Sequence, residues 1–139
     1  MKNPEQGPLA ELLLQFIATM KADFPTSLEL LSDDVTWINR LPANVPFGGE
    51  YRGRDGFTGY IAQLAETFEI GHYPVEEFEF IESGDTLVMI GYEQDARVIP
   101  TGKVFDLPFV WVVKFDEQGR IRFLQEHNDT AAIGDAFRA

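Results

Sequence analysis

The first third of the chain combines apolar residues at helical spacing with one short extended segment. After Pro8, which a helix tolerates in its first turn, apolar side chains stand at positions 9, 12, 13, 16, 17 and 20, the spacing of one helix face. A second, short helix is predicted from about Pro25 to Leu31. Residues 35–39 then predict a short strand, in which Trp37 and Asn39 share a face.

A loop and a third helix lead into the second half of the chain. Residues 40–54 contain two prolines and three glycines, a composition typical of a loop. Asp55 is a suitable N-cap for the helix that follows. Apolar residues at positions 57, 60, 61, 64 and 68 fall on one face of that helix.

From residue 77 onward the hydrophobic period changes to two, which indicates strands. The predicted strands are a short segment around Phe78 and Phe80, then Thr86–Arg97, Val104–Phe115 and Arg120–Asn128. Tight turns at 83–85, 100–103 and 116–119 separate them, so successive strands are predicted to be antiparallel. A last, short helix is predicted near Thr130–Phe137.

Helices followed by a meander of long strands predict an α+β fold, organised as a single domain over residues 1–139. We expect a curved antiparallel sheet wrapped around the three helices of the N-terminal half. A ligand cavity is expected between sheet and helices, because such a concave mouth is where small molecules tend to bind.

Charge narrows the function classes. The chain has 11 basic and 23 acidic residues, for a net charge of −12. With no basic run, it is a poor candidate for binding nucleic acid or an anionic membrane. No stretch approaches the roughly 20 apolar residues of a membrane span, and no secretory signal is visible, so a cytoplasmic location is predicted.

The residue types also limit the chemistry. There are no cysteines and only two histidines, which excludes thiol catalysis and argues against a zinc site. No phosphate loop or dinucleotide fingerprint is present, so we predict neither a cofactor nor a metal. Aromatic residues make up 13% of the chain, enough to fill a core or to line a cavity for a small apolar organic ligand.

Three strings carry a resemblance that covers nearly the whole chain. They are Phe47–Asp55 (FGGEYRGRD), Pro100–Lys103 (PTGK), and Phe115–Ile121 (FDEQGRI) leading to Asp129-Thr130. With this order of elements, the chain resembles the SnoaL-like, or nuclear-transport-factor-like, superfamily. That group includes polyketide cyclases, limonene-type epoxide hydrolases and ketosteroid isomerases. The resemblance implies the cone-shaped fold and a homodimer formed through the open face of the sheet. It does not fix the reaction.

Ketosteroid isomerase chemistry does not transfer to this chain. The resemblance places the isomerase base at Asn39, its tyrosine at Phe16 and its aspartic acid donor near Pro108. An amide cannot take a proton at neutral pH, and phenylalanine and proline side chains offer no donor. We therefore expect no classical steroid isomerase activity.

The epoxide hydrolases give a partial match. Asn39 falls on their asparagine and Trp37 on their tyrosine, while Asp95 and Glu126 fall on or near their two aspartates. Glu93 stands where their bridging arginine would be. Glu93 and Asp95 have the same strand parity, so both are expected on one face. The alternative is that both are solvated and paired with Arg97.

The polyketide cyclases use an acid on the last strand together with a histidine on the preceding one. Glu126 falls on the acid and Trp111 on the histidine. In an apolar cavity the pKa of Glu126 would rise toward neutral, which suits general acid/base catalysis. The alternative is a surface pair between Glu126 and Arg122.

Two functions remain open. The first is a cofactor-independent acid/base enzyme that acts on a small apolar carbonyl or hydroxylated cyclic compound. In it, Glu126 transfers the proton and Asn39 and Asp95 orient the substrate or water. The second is a non-catalytic binding module, or a dimeric assembly module, on the same fold.

The expected ligand-binding residues are Trp37, Phe109, Trp111, Phe16, His127 and Tyr60. His127 has the alternative of a sheet-surface histidine, and Asp129 is expected to cap the last helix.

Overall fold

A computed structural model describes residues 7–139 of the chain, so residues 1–6 of the predicted domain lie outside the description. The helices are α1 (Pro8–Ala22), α2 (Phe24–Ser27), α3 (Gly53–Thr67) and α4 (Thr130–Ala136), with 3-10 turns at Leu28–Leu30 and Val75–Glu77. The strands are β1 (Leu31–Asn39), β2 (Gly49–Arg52), β3 (Phe68–Glu69), β4 (Glu79–Ser83), β5 (Thr86–Val98), β6 (Val104–Phe115) and β7 (Ile121–Asn128).

The predicted helices and strands are present, with shifted ends. The helix predicted from Pro25 to Leu31 is a four-residue helix followed by a 3-10 turn. The helix α3 begins at Gly53, so Asp55 lies in its first turn and is not its N-cap. The short strands β2 and β3 were not predicted, because they lie in or beside segments that the pattern assigned to a loop and a helix.

The seven strands form one sheet in the order β2-β1-β7-β6-β5-β3, and β4 pairs with β5 as well. The meander from β4 to β7 is antiparallel, as predicted. The sheet is mixed, however, because β1 pairs with β7 in parallel. A long stretch of chain, which includes β2, α3 and four further strands, separates β1 from β7, so no tight turn requires these two strands to be antiparallel. The α+β fold class is confirmed.

The core lies between the inner face of the sheet and the helices. On β6 the residues Leu107, Phe109, Trp111, Val113 and Phe115 alternate inward and are buried. Phe16 of α1 and Phe57 of α3 pack against each other and against Trp37 of β1, with ring centroids 4.5–6.1 Å apart. This aromatic cluster joins both long helices to the sheet.

A β-bulge interrupts β5. Its register with β6 runs from the pair Glu93–Leu107 to the pair Ala96–Phe105, so β5 carries one extra residue between them. Asp95, within the bulge, has a left-handed backbone with φ of 57°. A bulge of this kind turns the following residues to the opposite face of the sheet.

Within residues 7–139, the helices are too short and too polar for any of them to span a membrane.

Candidate active site

A cavity of about 240 Å³ lies between the inner face of the sheet and the helices α1 and α3. Its walls are mainly aliphatic and aromatic side chains, including Trp37, Phe47, Tyr60, Phe68 and Trp111. The polar lining includes Asn39, Tyr73, Glu93 and Glu126, with the exposed Lys21 at its edge. The volume is below the ~300–1,000 Å³ of typical drug-sized sites, so the cavity suits a small compound.

Glu126 presents its carboxyl group to this cavity from the central strand β7. Trp111 Nε1 donates a hydrogen bond of 2.9 Å to one carboxyl oxygen, and Asn128 Nδ2 donates one of 2.7 Å to the other. Burial raises the pKa of Glu126, while these two donors act in the opposite direction. The alternative pair with Arg122 is wrong, because Arg122 binds Asp85 at 2.9 Å.

Asn39 lies directly opposite Glu126 in the register of the parallel strands β1 and β7. Its Nδ2 donates to the Tyr60 hydroxyl at 3.1 Å. Its Oδ1 has no hydrogen-bond partner among residues 7–139, and the same holds for Nε1 of Trp37. Both side chains are at most 3% exposed. Because an unpaired buried polar atom costs about 1–3 kcal/mol, these atoms are suited to bind polar groups of a ligand.

Glu93 is the second carboxyl group of the cavity. It is 3% exposed, and its Oε1 accepts a hydrogen bond of 2.7 Å from the Gly71 backbone N–H. A Cβ at position 71 would lie 1.9 Å from the Gln94 carbonyl oxygen, so only glycine allows this approach. Burial raises the pKa of Glu93 to about 7 and the Glu126 charge adds to the rise, while Gly71 and the Tyr73 hydroxyl lower it.

Comparison with known sequences decides the family. The model of the SnoaL-like domain family matches residues 13–124 of this chain. The chain is a SnoaL-like protein. A comparison with curated proteins finds no match.

Several solved structures share the fold of this SnoaL-like protein, and the first two below are NTF2-like proteins. One from Burkholderia xenovorans LB400 has a TM-score of 0.82 and 24% identity, over 94% of this chain and 95% of that chain. One of unknown function from Burkholderia pseudomallei K96243 has a TM-score of 0.77 and 25% identity, over 96% and 100%. TerC, co-crystallised with polyporic acid, has a TM-score of 0.75 and 23% identity, over 96% and 100%.

In this SnoaL-like protein, five of the predicted site residues line the cavity. They are Glu126, Asn39, Trp37, Trp111 and Tyr60. Phe16 and Phe109 do not line it. Phe16 is fully buried against Phe57, and Phe109 stands behind the lining, with its ring 5.3 Å from that of Tyr73 and 5.8 Å from that of Trp111. Both rings support the walls from behind.

The prediction that Asp95 lies in the cavity is wrong. The bulge breaks the strand alternation, so Asp95 is exposed and buried Ala96 takes the inward position. The Asp95 backbone N–H donates to Asp106. The alternative pairing with Arg97 is also wrong, because Arg97 lies 3.6 Å from Glu69.

His127 lies outside the cavity as well. It is exposed on the outer face of the sheet, because it follows Glu126 directly and strand neighbours point to opposite faces. The structure therefore supports the alternative interpretation, in which His127 is a histidine on the surface of the sheet. Asp129 accepts a hydrogen bond of 3.0 Å from the Ala132 N–H and caps α4, as expected.

Among residues 7–139, no three side chains of His, Asp or Glu are grouped so that they could hold a metal ion.

Proposed function

We propose that this SnoaL-like protein is a cofactor-independent acid/base enzyme that acts on a small, largely apolar carbonyl or hydroxylated cyclic compound. The observation that carries the proposal is the Glu126 carboxyl group, oriented by Trp111 and Asn128 inside an aromatic cavity. Burial raises the pKa of Glu126 above its ordinary value, which suits a carboxyl group that takes and returns a proton.

The surrounding groups support the binding of such a compound. Asn39 Oδ1 is free to accept a hydrogen bond and Trp37 Nε1 to donate one, so a substrate hydroxyl or carbonyl has a partner of either kind. The aromatic walls favour a ring system. TerC, which shares the fold, was co-crystallised with polyporic acid, a small organic compound.

Classical ketosteroid isomerase chemistry remains outside the proposal. Phe16 is packed in the core, where it offers no donor, and Pro108 is exposed rather than in the cavity lining. Asn39 stands at the base position and cannot ionise.

The substitution Glu126→Gln tests the proposal, because it keeps the size of the side chain and removes proton transfer. For any substrate found by screening small cyclic ketones and alcohols, we expect kcat to fall at least ~100-fold and binding to change little. Glu79→Gln, which changes an exposed carboxyl group on β4, is the matched control. Full turnover by the Glu126→Gln variant would contradict the proposal.

The second candidate is a non-catalytic binding module. Two departures from the catalytic residues of the related enzymes favour a binding module. Asn39 replaces the catalytic base of the isomerases, and Glu93 replaces the bridging arginine of the epoxide hydrolases. In that case Glu126→Gln changes neither turnover nor, by more than a few-fold, ligand binding. The cavity itself serves both candidates.

We also propose that the protein forms a homodimer through the outer face of its sheet. Ile81 and Ile90 are 56% and 36% exposed there, and the half-buried Val88, Val110 and Val112 join them into one apolar surface. A second copy presents the same apolar surface, so a two-fold contact covers both. The cytoplasmic location stays a prediction from the sequence.

A further inference from the structure

Among residues 7–139, Glu93 has no structural partner that accounts for a buried carboxyl group. Apart from the Tyr73 hydroxyl, its one hydrogen-bond donor in that range is the Gly71 N–H. The nearest basic residue on its own strand, Arg97, is paired with Glu69 at the surface. A carboxyl group that is buried without a cationic partner reduces the stability of the fold. A buried group that costs stability in this way is typical of a functional site.

The two carboxyl groups of the cavity are held separately. Glu126 is oriented by Trp111 and Asn128, and Glu93 by the Gly71 N–H. With no donor in common, they can contact two different positions of one bound molecule. Their charges repel each other, so near neutral pH the pair favours the state in which one is ionised and the other protonated.

The hydrogen bonds assign the two roles. Glu126 accepts one bond on each oxygen from neutral side chains, which favours its carboxylate form and leaves it the base. Glu93 accepts its backbone bond on Oε1, which leaves Oε2 to carry a proton. Other titratable groups that line the cavity are Tyr60, Tyr73 and, at the edge, Lys21. The Lys21 ammonium lies 5.8 Å from the centre of the Tyr73 ring.

We propose that Glu93 is the second proton-transfer group of this cavity and that it works with Glu126 on neutral cyclic carbonyl compounds. The inference rests on the proposed function of Glu126 as the acid/base group. It adds a residue, which takes the place that the sequence pattern gave to Asp95, and it narrows the substrate class.

The step balances without a further reactant. The Glu126 carboxylate takes a proton from the carbon next to the carbonyl group, and the C–H electron pair forms the carbon–carbon double bond of an enol. The carbonyl oxygen takes the proton of Glu93, so that Glu126 ends protonated and Glu93 ends ionised. The Tyr73 hydroxyl favours the charged form of Glu93 and so stabilises the newly ionised carboxylate. Return of the proton from Glu126 to the same carbon, with the enol O–H proton passing back to Glu93, regenerates the ketone with deuterium exchanged in D2O. Where a further carbon–carbon double bond is conjugated with the enol, return of the proton to the far end of that system gives an isomerised enone.

The charge of the cavity selects a neutral substrate. Two carboxyl groups line it, and its one basic lining residue among residues 7–139 is the exposed Lys21. A substrate that already carries a carboxylate would meet repulsion inside an apolar site, where charge interactions are weakly screened. A neutral ring ketone with an acidic C–H bond meets no such penalty.

The test is hydrogen–deuterium exchange of 2-tetralone, a neutral bicyclic ketone, in D2O, followed by proton NMR. The wild-type protein should exchange the C1 protons faster than buffer does. Glu126→Gln should lower this rate at least ~100-fold. Glu93→Gln, a neutral isostere, should lower kcat by roughly 10–100-fold with KM changed less than about 3-fold. Glu79→Gln is again the control.

The pH profile adds a readout that a purely structural role would not change. The wild-type rate should fall above pH about 7, and Glu93→Gln should lack this limb of the profile. Tyr73→Phe removes the donor that favours the Glu93 carboxylate, so the limb should move to higher pH. The Tyr73→Phe variant keeps the Glu93 carboxyl group. Its pH profile therefore tests the role of Glu93 even if Glu93→Gln does not fold.

The outcomes separate the two proposals. Loss of exchange in Glu126→Gln with an unchanged rate and pH limb in Glu93→Gln overturns the role of Glu93 and leaves that of Glu126. Loss in Asp95→Asn in place of Glu93→Gln also overturns it and restores the prediction from strand parity. A wild-type protein that exchanges no faster than the Glu126→Gln variant overturns both proposals.

Discussion

The carboxyl group of Glu93 links ionisation to folding at the level of one residue. Its pKa is raised from 4.5 to about 7 in the folded chain, first of all by burial. Between pH 4.5 and about 7, Glu93 is therefore protonated in the folded state and ionised in the unfolded state. Stability from this group is fully present below pH 4.5 and is lost as pH rises through about 7.

We expect the stability difference between wild type and Glu93→Gln to depend on pH. Relative to the variant, the wild type should lose about 3 kcal/mol of unfolding free energy between pH 4.5 and pH 8. Urea denaturation at several pH values measures this difference. Asp95→Asn, at the neighbouring exposed carboxylate, should show no comparable trend. A difference that stays constant across this range would contradict a buried, protonated Glu93.

Which carboxyl groups enter the cavity was predictable only in part. Glu126 was predicted to enter the cavity because it falls on the acid position of the polyketide cyclases. Asn39 and Trp37 were predicted to do so because they share a strand face. Strand alternation places Glu93 on the same face as the buried residues of β5. The same alternation also predicted, wrongly, that Asp95 lies on that face. The left-handed backbone of Asp95 has no clear signal in the sequence, because aspartate occurs in both conformations.

At the level of the elements, the helix α1 receives its cap from a distant strand. Gly7, its N-cap residue, has no side chain to offer. Instead, the carboxylate of Glu82 on β4 accepts hydrogen bonds of 3.1 Å from the N–H groups of Leu9 and Ala10. The contact fixes the start of the helix to the edge of the sheet and places a negative charge at the positive end of the helix dipole.

Glu82→Ala should therefore destabilise the fold by about 1–2 kcal/mol, through loss of both bonds and of the favourable charge. Glu82→Gln, which keeps an acceptor oxygen, should lose less. Glu79→Ala on the same strand is the control, because Glu79 is exposed. Urea midpoints give the comparison, and equal midpoints for Glu82→Ala and Glu79→Ala would show that the cap contributes little.

At the level of the whole molecule, local patterns predicted most of the architecture. Turns between strands determine antiparallel neighbours directly, so the meander from β4 to β7 followed from the sequence. The pairing of β1 with β7 did not, because nothing near either strand in sequence specifies a partner about 90 residues away. The short strands β2 and β3 were missed, since they depend on contacts with β1 and β5.

The proposed dimer is a property of the complete sheet. Wild type should sediment as a dimer at micromolar concentration, and Ile90→Asp should shift it to monomer, because a charge would be buried in the centre of the contact. Ile99→Asp is the matched control: Ile99 is 42% exposed but lies in the turn after β5. A monomeric wild type would rule out this interface.

The parallel pairing of β1 with β7 also has a consequence for how the chain is made. Asn39 and Glu126, which face each other across this pair, leave the ribosome about 90 residues apart. At roughly 5–20 residues per second, β1 waits several seconds or more for its neighbour. Until β7 emerges, the edge of β1 that it will cover is open to other strands. The acidic excess of the chain, which reaches −12 over the full sequence, favours the separation of nascent copies during this interval.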